Sequence, residues 1–509
     1  MNSKNKYYFL ILPLVVLLSL LIGTQAPQID SATILGPLIK VNNLSDYIHL
    51  FRSSEVYDIQ PIRDLFHLFD LLLFKLTNIS RVGVLSNIIL FIFLYFLITK
   101  FFSIERFSTP KLLGLLFIGH PAIFIIFTEE TSKKHILSLI FFLISYILFN
   151  KFMHDNFKHY KWYFISLCSF LFSLLSHPIS IFLPIYLLVQ RKISIRYIYN
   201  LLPFFLIALI IGLINYYYYL YSYTESSGNL KFNDSYNIGE IISYIGLYLY
   251  KFIIPFNFPL FYKSVGVAEL IFSLGTFVSI YISFKKLSVH NFLKIWIPFL
   301  CIIFILYHKN LDNKYLNTYF LFGSLSFFTL SFYILTTFKS LSKKYLLIIY
   351  CLFLMINSYN VYLRSNPLEF YKNSYAYEPS CANLNSLLSF YVKNTNYKGE
   401  FLALSKTWLN QECQIRNKSF NYINLMILTN MLYLDDKIPY SKKVELVKDK
   451  IKNTNELNLV LSALAMKYNI KQNFYFLDNS LFRDSILYKE LKDYCLENKC
   501  TKKGSPKAP

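Results

Sequence analysis

Long apolar stretches recur along this chain of 509 residues, and that recurrence limits its fold more than any other feature. A helix crossing a bilayer needs about 20 consecutive apolar residues, because each residue rises about 1.5 Å and every backbone polar group must be satisfied within the span. Such stretches lie at 8–23, 83–103, 111–128, 135–150, 162–176, 178–190, 200–222, 267–284, 294–307, 317–337 and 344–361. They predict an all-α integral membrane protein of about eleven transmembrane helices, some of them, such as 178–190, shorter than a full crossing. Composition points the same way. Charged residues are 16% of the chain, against about 25% in soluble domains, and the mean hydropathy is +0.41. With 50 Phe and 43 Tyr but only 14 Gly and 17 Pro, a disordered or collagenous chain is excluded.

The net charge of +22 would suggest a nucleic-acid partner in a soluble protein. Here the basic residues recur in short runs between apolar stretches, so membrane topology explains them and no nucleic-acid partner is expected. Alternate loops differ. One set holds Lys4 and Lys6, then Lys100, Arg106 and Lys111, then Lys151, Lys158 and Lys161, then Arg191, Lys192 and Arg196, then Lys285, Lys286 and Lys294, then Lys339, Lys343 and Lys344. This basic set reads as cytoplasmic. The other set, comprising 24–82, the turn at 131–135, 223–266, 309–317 and everything beyond about 362, reads as facing outward. The N-terminus is then cytoplasmic, and residues 1–23 form an uncleaved first span, since Pro27 directly follows Ala26.

The organisation predicted is a transmembrane domain over 1–361, with its first outer loop at 24–82, and a soluble extracytoplasmic helical domain over 362–509. The latter carries 22 Lys and Arg against 14 Asp and Glu, with helical spacing at Val444, Val447 and Ile451. Cys381, Cys413, Cys495 and Cys500 all fall there, which in an oxidising compartment suggests two disulfides, with Cys381 to Cys413 and Cys495 to Cys500 favoured among three pairings. Cys168, Cys301 and Cys351 lie in spans as buried apolar residues. A bacterial inner membrane is the expected location.

Ionisable groups are costly inside a bilayer, so their positions are informative. They gather at the outward ends of the predicted spans: Asp30, then Glu129, Glu130, Lys133, Lys134 and His135, then His177, then Lys314. An acid beside several bases at one membrane face can hold an anionic headgroup and deprotonate a hydroxyl. Each has a plainer reading: Asp30 as a helix cap, the lysines as snorkelling cations, His120 and His177 as turn or packing residues before Pro121 and Pro178. No Walker loop, GxGxxG, GxSxG or HExxH occurs, so ATPase, dinucleotide, serine-hydrolase and zincin chemistry lack support.

Taken in order, these residues resemble the GT-C superfamily of multi-span glycosyltransferases, and within it the protein O-mannosyltransferases that carry tetratricopeptide domains and their bacterial relatives. The resemblance begins at Asp30 and continues through Ile59-Gln60-Pro61-Ile62, Phe69-Asp70, Asn87 and His120-Pro121. It goes on through Ser132-Lys133-Lys134-His135-Ile136-Leu137, Leu174-Leu175-Ser176-His177-Pro178 with Pro184, Lys251 and Pro255, Asp312 to Asn317, and Arg364. The family often has two adjacent acids at Ile29-Asp30, Arg at Gln60, Lys133 and Lys314, and Lys-Glu at His177-Pro178. The changes from Arg to Lys keep the charge and lose a bidentate grip on phosphate.

The resemblance implies a polyprenyl-phosphate-linked sugar donor, a protein or glycan acceptor, and inverting transfer at the outer face. Asp30 would be the general base on the acceptor hydroxyl, while Lys133, Lys134, His177 and Lys314 would meet the donor phosphate. With one acid at the key position, no metal cofactor is expected, although some relatives use a divalent ion. Two other readings stay open, a surface-polysaccharide polymerase or ligase and a lipid or glycan transporter. The outer loops hold few Arg for the first, and no repeat between halves supports the second.

Overall fold

A computed structural model describes residues 6–22, 24, 60–79, 81–107, 109–129, 132–189, 194–226, 343–377, 379, 381–392, 397–410, 422–435, 437–450 and 460, with isolated residues between 271 and 296. Among the described residues all regular structure is helical and there is no strand. The chain divides into two compact units, one of 1–258 with 263–367 and the other of 259–262 with 368–509.

In the first unit a short 3-10 turn, Lys6–Ile11, leads into α1 (Leu12–Ser19). Then come α2 (Pro61–Thr77), α3 (Val82–Ile104), α4 (Pro110–Gly119), α5 (Pro121–Phe127), α6 (Lys133–His154) and α7 (Tyr160–Ser176). A 3-10 turn at Pro178–Phe182 precedes α8 (Leu183–Leu188), followed by α9 (Ile195–Ser226) and α10 (Lys343–Ser365). Proline opens α2, α4 and α5, where its fixed φ suits the first turn and its missing N–H costs nothing. Asn78, at φ 54°, closes α2 in the left-handed region that Asn tolerates, and its N–H donates to the Phe74 carbonyl.

Four of these helices are long and apolar enough to cross a membrane: Val82–Ile104, Lys133–His154, Ile195–Tyr217 and Lys343–Ser365. α4 and α5, bent by 67° at their junction, make a fifth if the pair is counted as one span. The described helices are thus compatible with a multi-pass membrane protein. The single span expected at 111–128 is broken because Pro121 forces His120 out of helical backbone. The break is repaired by side chains: His120 Nδ1 accepts from the Ala122 N–H at 3.3 Å, and Asn357 Nδ2 donates to the Gly119 carbonyl at 2.8 Å. The stretches expected at 8–23, 162–176 and 178–190 contain shorter helices, and those at 267–284, 294–307 and 317–337 lie mostly or wholly outside the described residues.

α6 lies along α7, and α3 packs on α4 and α6. A serine ladder joins α6 to α7. Ser145 Oγ donates to the Ser166 carbonyl at 2.8 Å, Ser166 Oγ donates back to the Ser145 carbonyl at 2.7 Å, and Ser173 Oγ donates to the Ser138 carbonyl at 2.6 Å. Small hydroxyl residues allow this close approach and satisfy themselves without water. α10 packs on α1, α4 and α5, with the Tyr350 hydroxyl donating to the Leu10 carbonyl. Gly114 on α4 is required by closeness to α3: a Cβ there would sit 2.6 Å from Thr99 Oγ1.

The second unit contains α11 (Pro367–Tyr377, whose first residue belongs to the first unit), α12 (Cys381–Val392), α13 (Lys398–Asn410), α14 (Tyr422–Leu434) and α15 (Tyr440–Lys450). α12, α13 and α14 pack on one another around buried Leu384, Leu388, Trp408, Ile427 and Leu432. Trp408 Nε1 donates to Asn385 Oδ1 at 2.5 Å. Cys381 is disulfide-bonded, and Cys413, Cys495 and Cys500 lie outside the described residues. Cys168 and Cys351 are free; Cys168 is half-buried on α7 and Cys351 exposed on α10 where buried positions were expected, and Cys301 lies outside the described residues.

Candidate functional site

The sequence of α2, PIRDLFHLFDLLLFKLT, places charged or titratable residues at 63, 64, 67 and 70. On a helix that spacing forms one stripe. In a water-facing helix such a stripe would be outermost. Here it is inverted: Asp64 and His67 are 3% and 1% exposed, whereas Leu65 and Leu76 are 60% and 72% exposed. The stripe faces inward because α2 packs against α3, α6 and α7, whose ends supply polar partners.

Asp70 is the centre of the cluster. Its Oδ1 accepts from Ser86 Oγ on α3 at 2.8 Å, and its Oδ2 forms an ion pair with Lys133 Nζ on α6 at 2.5 Å. Lys133 is fully buried and also donates to the Gly83 carbonyl at 3.0 Å. His67 Nδ1 stands 3.8 Å from Asp70 Oδ2, beyond hydrogen-bond distance. Neither ring nitrogen of His67 has a hydrogen-bond partner among the described residues. Arg63 Nε and Asp64 Oδ1 pair at 2.7 Å one turn earlier.

These contacts set the protonation states. Burial lowers the His67 pKa to about 4, helped by the positive charges of Lys133 and Arg63 and opposed by Asp70, so the imidazole is neutral near pH 7. Burial by itself raises the Asp70 carboxyl, but the neighbouring His67, the charge and contact of Lys133 and the Ser86 hydroxyl outweigh it and hold the pKa below its usual value.

Next to this cluster, the turn after α5 is clamped from several helices. Arg81 donates to the Thr128 carbonyl at 2.5 Å and to Thr24 Oγ1 at 3.2 Å. Asn87 Nδ2 donates to the Phe127 and Glu129 carbonyls at 2.9 and 3.1 Å. Arg364, at the end of α10, pairs with Glu129 Oε1 at 2.9 Å, and Ser132 Oγ donates to Glu129 Oε2 at 3.2 Å. The starts of α3 and α6 and the ends of α5 and α10 thus meet at one end of the helix group, where the buried charge is concentrated.

Of the residues singled out from sequence, Asp30 and Lys314 lie outside the described residues. Lys133 is in the cluster, paired with Asp70. Lys134 follows it, half-buried, on the first turn of α6. His177 is buried at the end of α7, where Nδ1 accepts from the Ile179 N–H at 3.2 Å and the ring lies tilted at 42° against His135 with centroids 4.4 Å apart. His120 is the helix cap described above, its ring edge-on to Phe353. Asp70 entered the sequence reading only as part of a motif, and Arg63, Asp64 and His67 did not enter it; their helical stripe was the available signal. Among the described residues no group of three His, Cys, Asp or Glu side chains could hold a metal ion.

Comparisons of the chain with protein-family models, curated proteins and solved structures find no match.

Proposed function

We propose that this protein is a membrane glycosyltransferase of the GT-C type, built from about eleven spans with an outward-facing C-terminal domain. It transfers a sugar from a polyprenyl-phosphate donor to a hydroxyl of a protein or glycan acceptor, with inversion. The observation that supports this best is the buried acid–base cluster of Asp70, Lys133 and His67, held at one end of an apolar helix group. A lipid-borne substrate presents its headgroup at that level of a bilayer, and reaction there requires ionisable groups shielded from water.

Asp30 serves as general base, acting through position and hydrogen bonding in the transition state because an ordinary carboxylate is a weak base toward a hydroxyl. Lys134 and Lys314 meet the departing lipid phosphate. Lys133, engaged by Asp70, reaches the phosphate only by leaving that partner and otherwise supports it electrostatically. His177, whose Nδ1 is used as a cap, assists the lysines from the end of α7.

The test is mass spectrometry of surface proteins, glycans and lipids from cells carrying the native chain, Asp30→Asn at equal expression, or a gene deletion. Loss of one sugar-sized mass from the same acceptor in both variants supports the proposal. A profile unchanged by deletion overturns it. A profile changed by deletion but not by Asp30→Asn removes Asp30 as base and favours the polymerase or transporter reading.

A further inference from the structure

Three of the four polar residues on the buried stripe of α2 have charged partners: Arg63 and Asp64 pair with each other, and Asp70 pairs with Lys133. His67 is different. It is 1% exposed, and both ring nitrogens lack a hydrogen bond among the described residues. A buried polar atom without a partner costs about 1–3 kcal/mol, so a ring that only packed would be better served by Phe at this position.

The surroundings specify what could satisfy it. Arg63 pairs with Asp64 and Lys133 with Asp70, so these cations are already engaged, and an anion arriving at the ring would face the Asp70 carboxylate 3.8 Å away. The neutral imidazole offers one N–H donor and one lone pair. Asp70 Oδ2, which also faces His67 at 3.8 Å, adds an acceptor beside them. A hydroxyl group, which donates once and accepts, complements this set where an anion does not.

We infer that His67, backed by Asp70, is a binding site for a hydroxyl of an uncharged carbohydrate, received on the inward face of α2. The ligand class rests on the glycosyltransferase reading, but the imidazole without a hydrogen bond among the described residues and the carboxylate facing it do not.

The experiment uses the full chain in lipid nanodiscs and follows thermal unfolding during titration with methyl mannoside and methyl glucoside, and separately with inorganic phosphate. At least one glycoside should stabilise the native protein. His67→Phe should weaken that binding about tenfold, the equivalent of one lost hydrogen bond, and His67→Gln, which keeps a donor and an acceptor, should restore most of it. Glycoside binding indifferent to His67, no glycoside binding, or a His67-dependent response to phosphate would each overturn the inference. If His67→Phe does not fold, histidine-selective 15N NMR replaces it, with His67→Gln assigning the signal. That signal should move with glycoside and stay fixed with phosphate; the reverse, or no movement, overturns the site. Glycoside binding through His67 in a protein whose gene deletion leaves all glycans unchanged would sink the transferase proposal and leave this one standing.

Discussion

Lys133 and His67, on different helices, approach the same oxygen of Asp70, the lysine at 2.5 Å and the imidazole at 3.8 Å. Only Lys133 is close enough to be held, so Asp70 is the counter-ion of a fully buried ammonium. Asp70→Asn should therefore destabilise the protein by about 3–5 kcal/mol, because the lysine is left buried and uncompensated. Replacing both partners, Asp70→Leu with Lys133→Met, should recover most of that loss. Denaturant unfolding of the three proteins in detergent checks the order; a double variant as unstable as Asp70→Asn would show that the pair itself holds α2 in place.

Acid should weaken the fold in a defined window. His67 titrates at about 4 in the folded protein against 6.5 when unfolded, so the unfolded chain takes up its proton first as pH falls. The stability this provides is complete above 6.5 and is lost between 6.5 and about 4. Asp70 acts with the same sign at lower pH: its folded pKa is depressed, so its contribution is present above the usual carboxylate range and is lost as pH falls through the folded value. Melting temperatures measured from pH 7 to 5 should fall for the native protein, and by less for His67→Phe.

The serine ladder predicts a non-additive pair. Ser145→Ala and Ser166→Ala each remove an interhelical bond to a carbonyl that keeps its own helical partner, and should each cost about 1 kcal/mol. The double variant should cost less than their sum, since both hydroxyls leave together. A double-mutant cycle on unfolding in detergent measures the coupling.

Two glycines should respond differently to alanine. At Gly114 the new methyl would meet Thr99 Oγ1 at 2.6 Å and Tyr95 at 3.2 Å, so α3 and α4 must separate, at about 1–3 kcal/mol. At Gly212 it would meet only the terminal carbon of Ile181, at 3.0 Å, which can turn aside. Thermal unfolding should rank Gly114→Ala well below Gly212→Ala.

The sequence displays some of this more readily than the rest. Val82–Ile104, Lys133–His154 and Lys343–Ser365 are legible because an apolar run of membrane length has few other uses. The break at His120 was visible as a proline, but a proline inside a span can bend or divide it, and only the Asn357 contact shows how the freed carbonyl is satisfied. The ion pair between Asp70 and Lys133 joins residues whose meeting depends on how α2 docks, which no local pattern records. The stripe at 63, 64, 67 and 70 was countable, but its direction was not. Periodicity says that a helix has two faces; which face is buried depends on the medium outside it.

That direction has a consequence for assembly. With Phe69, Leu72 and Leu76 outermost and the charged stripe at 63, 64, 67 and 70 sequestered, α2 has no stable place in water, nor in lipid until α3 and α6 are there to receive Asp70. The segment emerges from synthesis before both of its partners. It must therefore wait, shielded or only loosely formed, and then turn its charged side inward as they arrive. Biogenesis of this protein therefore has a late step at α2, and a chain shortened before Lys133 lacks the ammonium that Asp70 receives.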